Sequence, residues 1–141
     1  MPIETDVLVL GSGIAGAATA LRLARDEQRQ ITVVTRTEDP EESNTRYAQG
    51  GIVARGPDDS ADLLEEDIVR AGAGLTLPSA ARLLAEEGPP LVERVLVDRL
   101  SVPFEREADG ALSYTREGGH RVSRILHVGD ATGRAIESAL I

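Results

Sequence analysis

The stretch that decides the fold is "DVLVLGSGIAG", residues 6–16, near the start of the chain. Its apolar run "VLVL" ends in glycine, which is typical of a strand buried on both faces of a parallel sheet. Residues 15–24 are rich in alanine and leucine and predict a helix. The β-branched run "ITVVT", Ile31 to Thr35, predicts a second strand, so the segment spells one βαβ unit.

The glycines between the first strand and the helix form the pattern G-x-G-x-x-G. The first glycine permits a tight turn, the second lets the backbone approach a pyrophosphate, and the third allows close packing of helix on strand. The helix N-terminus adds N–H donors and positive potential for phosphates. We therefore predict a bound dinucleotide, with a glycine turn that holds no ligand as the alternative. The predicted contacts are Gly11, Ser12, Gly13, Ile14, Ala15 and Gly16.

The end of the second predicted strand departs from a standard NAD site. Such a site has an acidic residue about 20 positions further along, which binds a ribose hydroxyl. This chain has Thr35 followed by Arg36 instead. A threonine hydroxyl can still bind a ribose, and an arginine can face phosphate or adenine. NAD is therefore disfavoured, although Thr35 can equally be a β-former that ends a strand.

A long polar connection, residues 36–59, follows with neither helical nor strand periodicity. Loops longer than about 12 to 15 residues are uncommon in compact domains and are usually functional or disordered. Its segment "SNTRYAQGG", residues 43–51, is placed to run beside the rest of the dinucleotide. The backbone of Gly50 and Gly51 could approach the ligand closely, and Asn44, Thr45 and Gln49 could donate hydrogen bonds to it. A solvated surface loop is the alternative.

The rest of the chain predicts further helices, a short β-hairpin and one more strand. In order, these are a helix over 61–71 capped by Ser60 or Asp59, a helix from Pro78 that breaks at residues 88–90, a helix over 91–100, a hairpin turning at Asp109-Gly110, a strand in "VSRILHV", and a final helix. The fold class is therefore α/β, a Rossmann-like βαβ unit with a parallel sheet, additional helices and a hairpin. We expect an incomplete domain, since "ALI" ends the chain at Ile141 inside a helix without a C-cap.

Composition excludes several classes of function. All 15 basic residues are arginine against 24 acidic residues, so the net charge of -9 offers no broad basic face to nucleic acid. Without lysine or cysteine the chain supplies no Schiff base, disulfide or thiolate ligand. The two histidines, His120 and His127, have no ligands at metal spacing, so no metal site is predicted. No apolar run approaches a membrane span of about 18 to 20 residues, and we predict a cytoplasmic protein without membrane or nucleic-acid partners.

Three motifs, "GSGIAG", "SNTRYAQGGI" and "TREGGHRVSRILHVGDATGRAIE", occur in this order. Together they resemble the N-terminal part of the L-aspartate oxidases, flavoproteins similar to the succinate dehydrogenase and fumarate reductase flavoprotein subunits. The resemblance extends from Asp6 to the last residue and is less specific between Asp62 and Leu100. It implies that residues 1–141 are the N-terminal part of an FAD-binding domain that continues beyond Ile141.

The resemblance also implies the cofactor and its contacts. FAD would place its pyrophosphate at Gly11 through Gly16 and its adenosine half near Thr35 and Arg36. In the succinate dehydrogenase branch a histidine in "S-H-T" carries the flavin covalently, whereas this chain has Asn44 there, so non-covalent FAD is expected. The contacts implied on the flavin side are Asn44, Thr45, Arg46, Tyr47, Ala48, Gln49, Gly50 and Gly51.

The implied reaction is the oxidation of L-aspartate to iminosuccinate, the first step of quinolinate and NAD synthesis. Dioxygen or fumarate would reoxidise the flavin, and quinolinate synthase would be a pathway partner. Glu117 in "TREGGH" would orient the substrate, in line with a carboxylate accepting hydrogen bonds from an ammonium group, and His120 would line the substrate cavity. His127 can equally be a buried structural residue, and Glu117 can equally be a loop acid beside flexible glycines.

The main catalytic base and the other carboxylate-binding residues of this family belong to later sequence. The isolated chain is therefore expected to carry FAD-binding residues without activity of its own. Two alternatives remain open: a fragment of a fumarate reductase or succinate dehydrogenase type flavoprotein, and a non-catalytic nucleotide-binding module.

Overall fold

The computed structural model describes residues 2–141, which form two compact units. One unit comprises the chain up to Gln49 together with Gly133–Ile141, and the other comprises Gly50–Thr132. The elements in chain order are β1 (Val7–Leu10), α1 (Ile14–Leu23), β2 (Ile31–Val34), β3 (Ile52–Val53), α2 (Ala61–Ala71), α3 (Pro78–Leu91), a π-helical segment (Val92–Arg99), β4 (Ile125–Leu126) and α4 (Thr132–Leu140).

The first unit contains the predicted βαβ arrangement. Strands β1 and β2 pair in parallel, with Val7 opposite Ile31, and α1 connects them. The prediction that β1 is buried on both faces is wrong for the residues described. Val9 is buried on the side of α1, but Leu8 and Leu10 are 55% and 77% exposed, because successive side chains of a strand alternate between faces and α1 covers only one.

The second unit contains α2, α3, the π-helical segment and the antiparallel pair β3 and β4. Helix α2 has the predicted bounds, and Ser60 is its cap, accepting a hydrogen bond from the Leu63 N–H at 3.1 Å. Asp59 does not act as the cap, because its side chain is buried and ion-paired with Arg124. Strand β3 adds a short element inside the long connection, where none was predicted.

The predicted helix break at residues 88–90 is wrong. Helix α3 runs through Pro89 and Pro90 to Leu91 and continues directly into the π-helical segment. A proline at position 89 has no N–H for the carbonyl of Ala85 four residues earlier. That carbonyl accepts a hydrogen bond from Arg55 Nη2 at 2.6 Å instead. A side chain from outside the helix thus supplies the donor that proline lacks.

This substitute donor gives a first testable expectation. Replacing Arg55 by methionine leaves the Ala85 carbonyl without a partner and should lower the free energy of unfolding by about 1 to 3 kcal/mol. Chemical denaturation followed by circular dichroism would measure the change. The matched control is Arg94→Met. Arg94 is exposed on the π-helical segment, so its replacement should change the free energy of unfolding little. Equal losses in both variants would contradict the role given to Arg55.

The predicted hairpin is present as a turn with little strand around it. Gly110 has a φ of +89°, and the Glu107 N–H donates to the Ala111 carbonyl at 2.8 Å. Beyond the turn, a single isolated bridge joins Arg106 to Leu112.

Among the described residues, no helix combines the length and apolar character needed to cross a bilayer.

Candidate functional site

The glycine turn of the first unit has the geometry that its spacing predicts. Gly11 has a φ of +102°, a conformation that favours glycine, and a Cβ there would meet no atom within 4 Å. A Cβ on Gly16 would lie 1.9 Å from the Gly11 carbonyl oxygen, so α1 packs on the turn only because residue 16 has no side chain. One glycine is required by conformation and the other by close packing.

The donors at the start of α1 fit a diphosphate. Within residues 2–141, the N–H groups of Ser12, Gly13, Ala15 and Gly16 donate to no protein acceptor. The Ile14 N–H differs, since it donates to Thr45 Oγ1 at 3.0 Å. Free N–H groups at a helix N-terminus beside open space at Gly11 are what a phosphate group requires. The backbone of this turn therefore fits the pyrophosphate of a dinucleotide.

The side chains around the turn differ in whether they are available to a ligand. Ser12 is buried, and its hydroxyl donates to the Pro40 carbonyl at 2.5 Å, so only its backbone is available to a ligand. The Thr35 hydroxyl donates to the Thr37 carbonyl at 2.6 Å and keeps lone pairs that can accept from a ribose hydroxyl. Arg36 is exposed and makes no ion pair in the described part of the chain.

A cavity of about 370 Å³ also lies in this unit, beside Ser12 and Thr35. Its walls are mostly aliphatic side chains of α1, β2 and the end of α4, among them Leu21, Ile31 and Leu140. A diphosphate needs N–H donors or cations, which this cavity hardly supplies. The N–H donors of the glycine turn therefore suit a phosphate better than this partly open apolar cavity, whose lining includes the exposed Ile141.

The segment Ser43–Thr45 is fixed against the glycine turn. Ser43 Oγ accepts hydrogen bonds from the N–H groups of Thr45 and Arg46 at 3.1 and 3.4 Å, which orders the backbone. Thr45 in turn caps Ile14, and its hydroxyl lies 3.1 Å from where a Cβ on Gly13 would be. This part of the long connection is therefore a structured wall of the turn rather than a freely solvated loop.

The remaining polar residues of the segment are mostly exposed. Arg46 pairs with Asp39 at 3.2 Å, and the Tyr47 hydroxyl donates to Glu42, a hydrogen bond that is the main cause of the raised pKa of Tyr47. Asn44 and Gln49 are exposed, and their side chains make no hydrogen bond within residues 2–141. Their amide groups are free to contact a ligand.

Helix α4 contacts the segment of residues 41–48 and helps to hold it in place, a role that the sequence did not reveal. The Gly133 N–H donates to the Ala48 carbonyl at 2.9 Å, and a Cβ on Gly133 would lie 1.9 Å from the Thr45 carbonyl oxygen. Ser138 Oγ donates to Glu41 at 2.9 Å. Between these contacts Glu137 is fully buried, and its carboxylate oxygens have no hydrogen bond of good geometry to any described residue.

Burial raises the pKa of Glu137, because the charged carboxylate loses its hydration. The Ser43 hydroxyl opposes this shift, the negative charge of Glu41 adds to it, and Arg46 counteracts it. A group with a raised folded-state pKa stabilises the protein at low pH and loses that contribution as pH rises through the folded pKa. The buried acid therefore makes the first unit less stable at neutral pH than at mildly acidic pH.

Glu137→Gln should remove this pH dependence. We expect the variant to be more stable than the wild type at neutral pH, with the difference shrinking as pH falls and disappearing below about pH 4, where the carboxyl becomes protonated in the unfolded chain as well. Denaturation midpoints across this pH range would measure it. Glu38→Gln, at an exposed carboxylate of the same unit, is the control and should change little. A Glu137→Gln variant that is less stable at neutral pH would contradict the assignment.

In the second unit, the paired glycines lie beside Glu117. The Gly51 N–H donates to Glu117 Oε1 at 3.3 Å, and a Cβ on Gly50 would be 4.0 Å from the same carboxylate. Gly51 is also required for packing, since a Cβ there would lie 2.5 Å from the Leu126 carbonyl oxygen. The structure thus brings three predicted site residues together, and it gives Gly51 a packing role that the sequence did not suggest.

His120 lies at the edge of a buried cluster of charges. Its N–H donates to the Glu117 carbonyl at 3.2 Å, and its Nδ1 is 3.3 Å from Arg124 Nη1. Arg124 is fully buried between Asp67, whose carboxylate accepts from Nη1 at 2.9 Å, and Asp59, which approaches Nη2 at 2.7 Å as an ion pair not aligned for a hydrogen bond. No sequence motif indicated these residues, because 57 positions separate Arg124 from Asp67.

Asp67 is held in its charged form by this cluster. Burial alone would raise its pKa, but hydrogen bonds from the N–H and side chain of Arg121 and the charges of Arg121 and Arg124 outweigh burial and lower the pKa.

His127 belongs to a separate contact, with its Nδ1 3.2 Å from Glu105. No group of three or more potential metal ligands occurs among the described residues.

Comparisons with known proteins show to which family the chain is similar. The family model described as an FAD binding domain matches residues 6–141. The L-aspartate oxidase of Halobacterium salinarum is 46% identical over 132 residues, which cover 94% of this chain and 25% of that protein. The L-aspartate oxidase of Streptomyces coelicolor is 42% identical over 141 residues, covering 99% and 24%. The chain spans about a quarter of the length of these curated relatives.

Solved structures show the same fold. "Mycobacterium smegmatis Sdh1 in complex with UQ1" matches 96% of this chain and 23% of that chain, with a TM-score of 0.87 and 33% identity. A mutant E. coli quinol fumarate reductase FrdA matches 98% of this chain and 23% of that chain, with a TM-score of 0.90 and 26% identity.

Proposed function

The chain belongs to the family of FAD-binding domains, and we propose that the glycine turn of its first unit holds the pyrophosphate of FAD. The observation that carries the proposal is the set of N–H groups at Ser12, Gly13, Ala15 and Gly16, which have no protein acceptor within residues 2–141. The exposed φ-positive turn at Gly11 supports it, because a bulky phosphate could approach the backbone there.

The side chains of the same unit would complete the contacts with FAD. The lone pairs of the Thr35 hydroxyl could accept from a ribose hydroxyl, and Arg36 could face a phosphate or the adenine. Asn44 and Gln49 have side-chain amides that are free to contact FAD. They belong to the same segment as Ser43 and Thr45, whose hydrogen bonds order its backbone. An asparagine amide forms no covalent bond to flavin of the kind a histidine forms, so we propose non-covalent FAD.

For the complete protein we propose FAD-dependent oxidation of L-aspartate to iminosuccinate, with dioxygen or fumarate as electron acceptor. The names of relatives 46% and 42% identical to this chain support the substrate. When bound, FAD supplies the redox chemistry by accepting a hydride. Glu117 is exposed on a loop and could accept a hydrogen bond from the substrate ammonium group, while the Gly51 N–H steadies its carboxylate.

The likeness to fumarate reductase and to Sdh1 supports a second candidate, a flavoprotein acting on a simple dicarboxylate. An ammonium group is the chemical difference between L-aspartate and succinate. An acid at position 117 therefore favours the amino acid, because a carboxylate repels a further carboxylate and attracts an ammonium group.

The test uses the complete gene product that contains this chain. We expect acid precipitation to release yellow flavin into the supernatant, and L-aspartate but not succinate to reduce the bound flavin under anaerobic conditions. Glu117→Gln should raise the KM for L-aspartate at least about tenfold, the loss of one charge-assisted hydrogen bond. Glu87→Gln, at an exposed acid on α3, is the control. Flavin retained in the precipitate, or reduction by succinate alone, would contradict the proposal.

A further inference from the structure

The guanidinium of Arg124 is a donor fixed from two sides in the interior of the second unit. Its side chain is 0% exposed, as is that of Asp59, and that of Asp67 is 2% exposed. Asp67 is itself fixed, since it accepts from the N–H and Nε of Arg121 at 3.0 and 2.7 Å and from Arg70 at 2.9 Å. Arg124 therefore has little freedom to rotate away from its partners.

Nη1 of Arg124 carries two hydrogens, and each has an acceptor. One is directed to Asp67 Oδ2 at 2.9 Å, and the other to His120 Nδ1 at 3.3 Å. A guanidinium has donors only and is always charged in proteins. His120 Nδ1 must then present its lone pair, and a neutral imidazole that accepts at Nδ1 carries its proton at Nε2.

The opposite nitrogen of the ring is available for another partner. His120 is half-buried, and its Nε2 makes no hydrogen bond to any residue that the structure describes. The main chain at this residue is also fixed, because the backbone N–H of His120 donates to the Glu117 carbonyl at 3.2 Å. The loop thus places a carboxylate acceptor and an imidazole donor three residues apart.

We propose that Arg124 is a positioning residue for His120: it holds the ring with its proton at Nε2, ready to donate to an oxygen of the substrate. The oxygen is identified through the proposed function, on which this step rests, as belonging to a carboxylate of L-aspartate. Glu117 would then recognise the ammonium group and His120 a carboxylate, so that one short loop distinguishes the two charges of an amino acid.

The second histidine of the chain provides an internal control for the tautomer. His127 Nδ1 is 3.2 Å from Glu105 Oε1. The contact is not aligned as a hydrogen bond, but an ionised carboxylate only accepts, so its approach favours a proton at His127 Nδ1. The two histidines are therefore expected in opposite tautomers when both rings are neutral.

Nitrogen NMR of the full chain, labelled with ¹⁵N-histidine and recorded without substrate at mildly alkaline pH, tests the proposal. His127→Gln assigns the two rings. We expect His120 to show a protonated Nε2 and an unprotonated Nδ1, and His127 the reverse. A protonated Nδ1 on His120, or a mixture of tautomers, overturns the role of Arg124 whatever the activity of the enzyme. This readout does not depend on the proposed function.

Kinetics of the complete gene product test the donor role separately. His120→Gln places an amide N–H near the position of Nε2, whereas the shorter side chain of His120→Asn reaches only the position of Nδ1. We expect the asparagine variant to raise the KM for L-aspartate about tenfold more than the glutamine variant, with little difference in kcat. Equal KM values overturn the donor role. If the wild-type gene product oxidises no L-aspartate, the proposed function fails, and the tautomer measurement still decides the assignment of Arg124.

Discussion

Replacing Gly16 by alanine is expected to lower the free energy of unfolding by about 3 kcal/mol and to weaken FAD binding at least about tenfold. The new Cβ would lie 1.9 Å from the Gly11 carbonyl oxygen and 3.3 Å from Val9 Cγ1. The first neighbour is backbone and cannot rotate away, so α1 must move off the turn. The N–H groups at its N-terminus move with it, and the site proposed for the pyrophosphate opens.

The matched control for this change is Gly88→Ala, which is also a glycine inside a helix. A Cβ on Gly88 would meet Leu84 Cδ1 at 3.4 Å, an ordinary contact, and alanine has the higher helix propensity by about 1 kcal/mol. The control should therefore be neutral or slightly stabilising. Denaturation curves and titration of FAD, followed by quenching of flavin fluorescence, measure both effects. A Gly16→Ala variant that binds FAD with unchanged affinity would refute the close-packing argument.

The βαβ unit could be predicted from the sequence because every requirement for it is local. The run of β1, the glycine turn and α1 are consecutive, and the observed elements end within one residue of the predicted ones. The same holds for α2, whose cap Ser60 directly precedes it. The break predicted at Pro89 failed because the donor that replaces its N–H is Arg55, 30 positions away from the Ala85 carbonyl.

In the candidate site, too, the features that depend on nearby residues could be predicted and those that depend on distant residues could not. The glycine spacing and the segment from Ser43 onward could be recognised, since their residue types carry the chemistry. The buried charged residues that support the site could not be recognised, because arginine and glutamate are usually exposed and the sequence alone predicts them to be so. Glu137 is a carboxylate on the buried face of α4, and Arg124 is buried between two acids that lie more than 50 positions earlier. Only the folded chain reveals that these charges are interior.

The second large effect is expected at Arg124. Arg124→Leu removes the only arginine that contacts both Asp59 and Asp67 among the described residues. Asp67 keeps its ion pairs with Arg121 and Arg70, but Asp59 is left with Arg55 alone, whose Nη1 is 3.8 Å away. Because removing one partner of a buried ion pair is costly, we expect a loss of about 3 kcal/mol in the free energy of unfolding at neutral pH.

Arg70→Leu is the control that separates burial from charge. Arg70 contacts the same carboxylate, Asp67, at 2.9 Å, but its side chain is 56% exposed. An exposed ion pair contributes about 1 kcal/mol or less, since water replaces the lost partner. Urea denaturation of both variants at neutral pH compares their free energies of unfolding directly. Similar losses for the two would show that the interior position of Arg124 carries no special weight. A much larger loss for Arg124→Leu would establish that this buried arginine stabilises the interior beside the loop of Glu117 and His120 by pairing with Asp59 and Asp67.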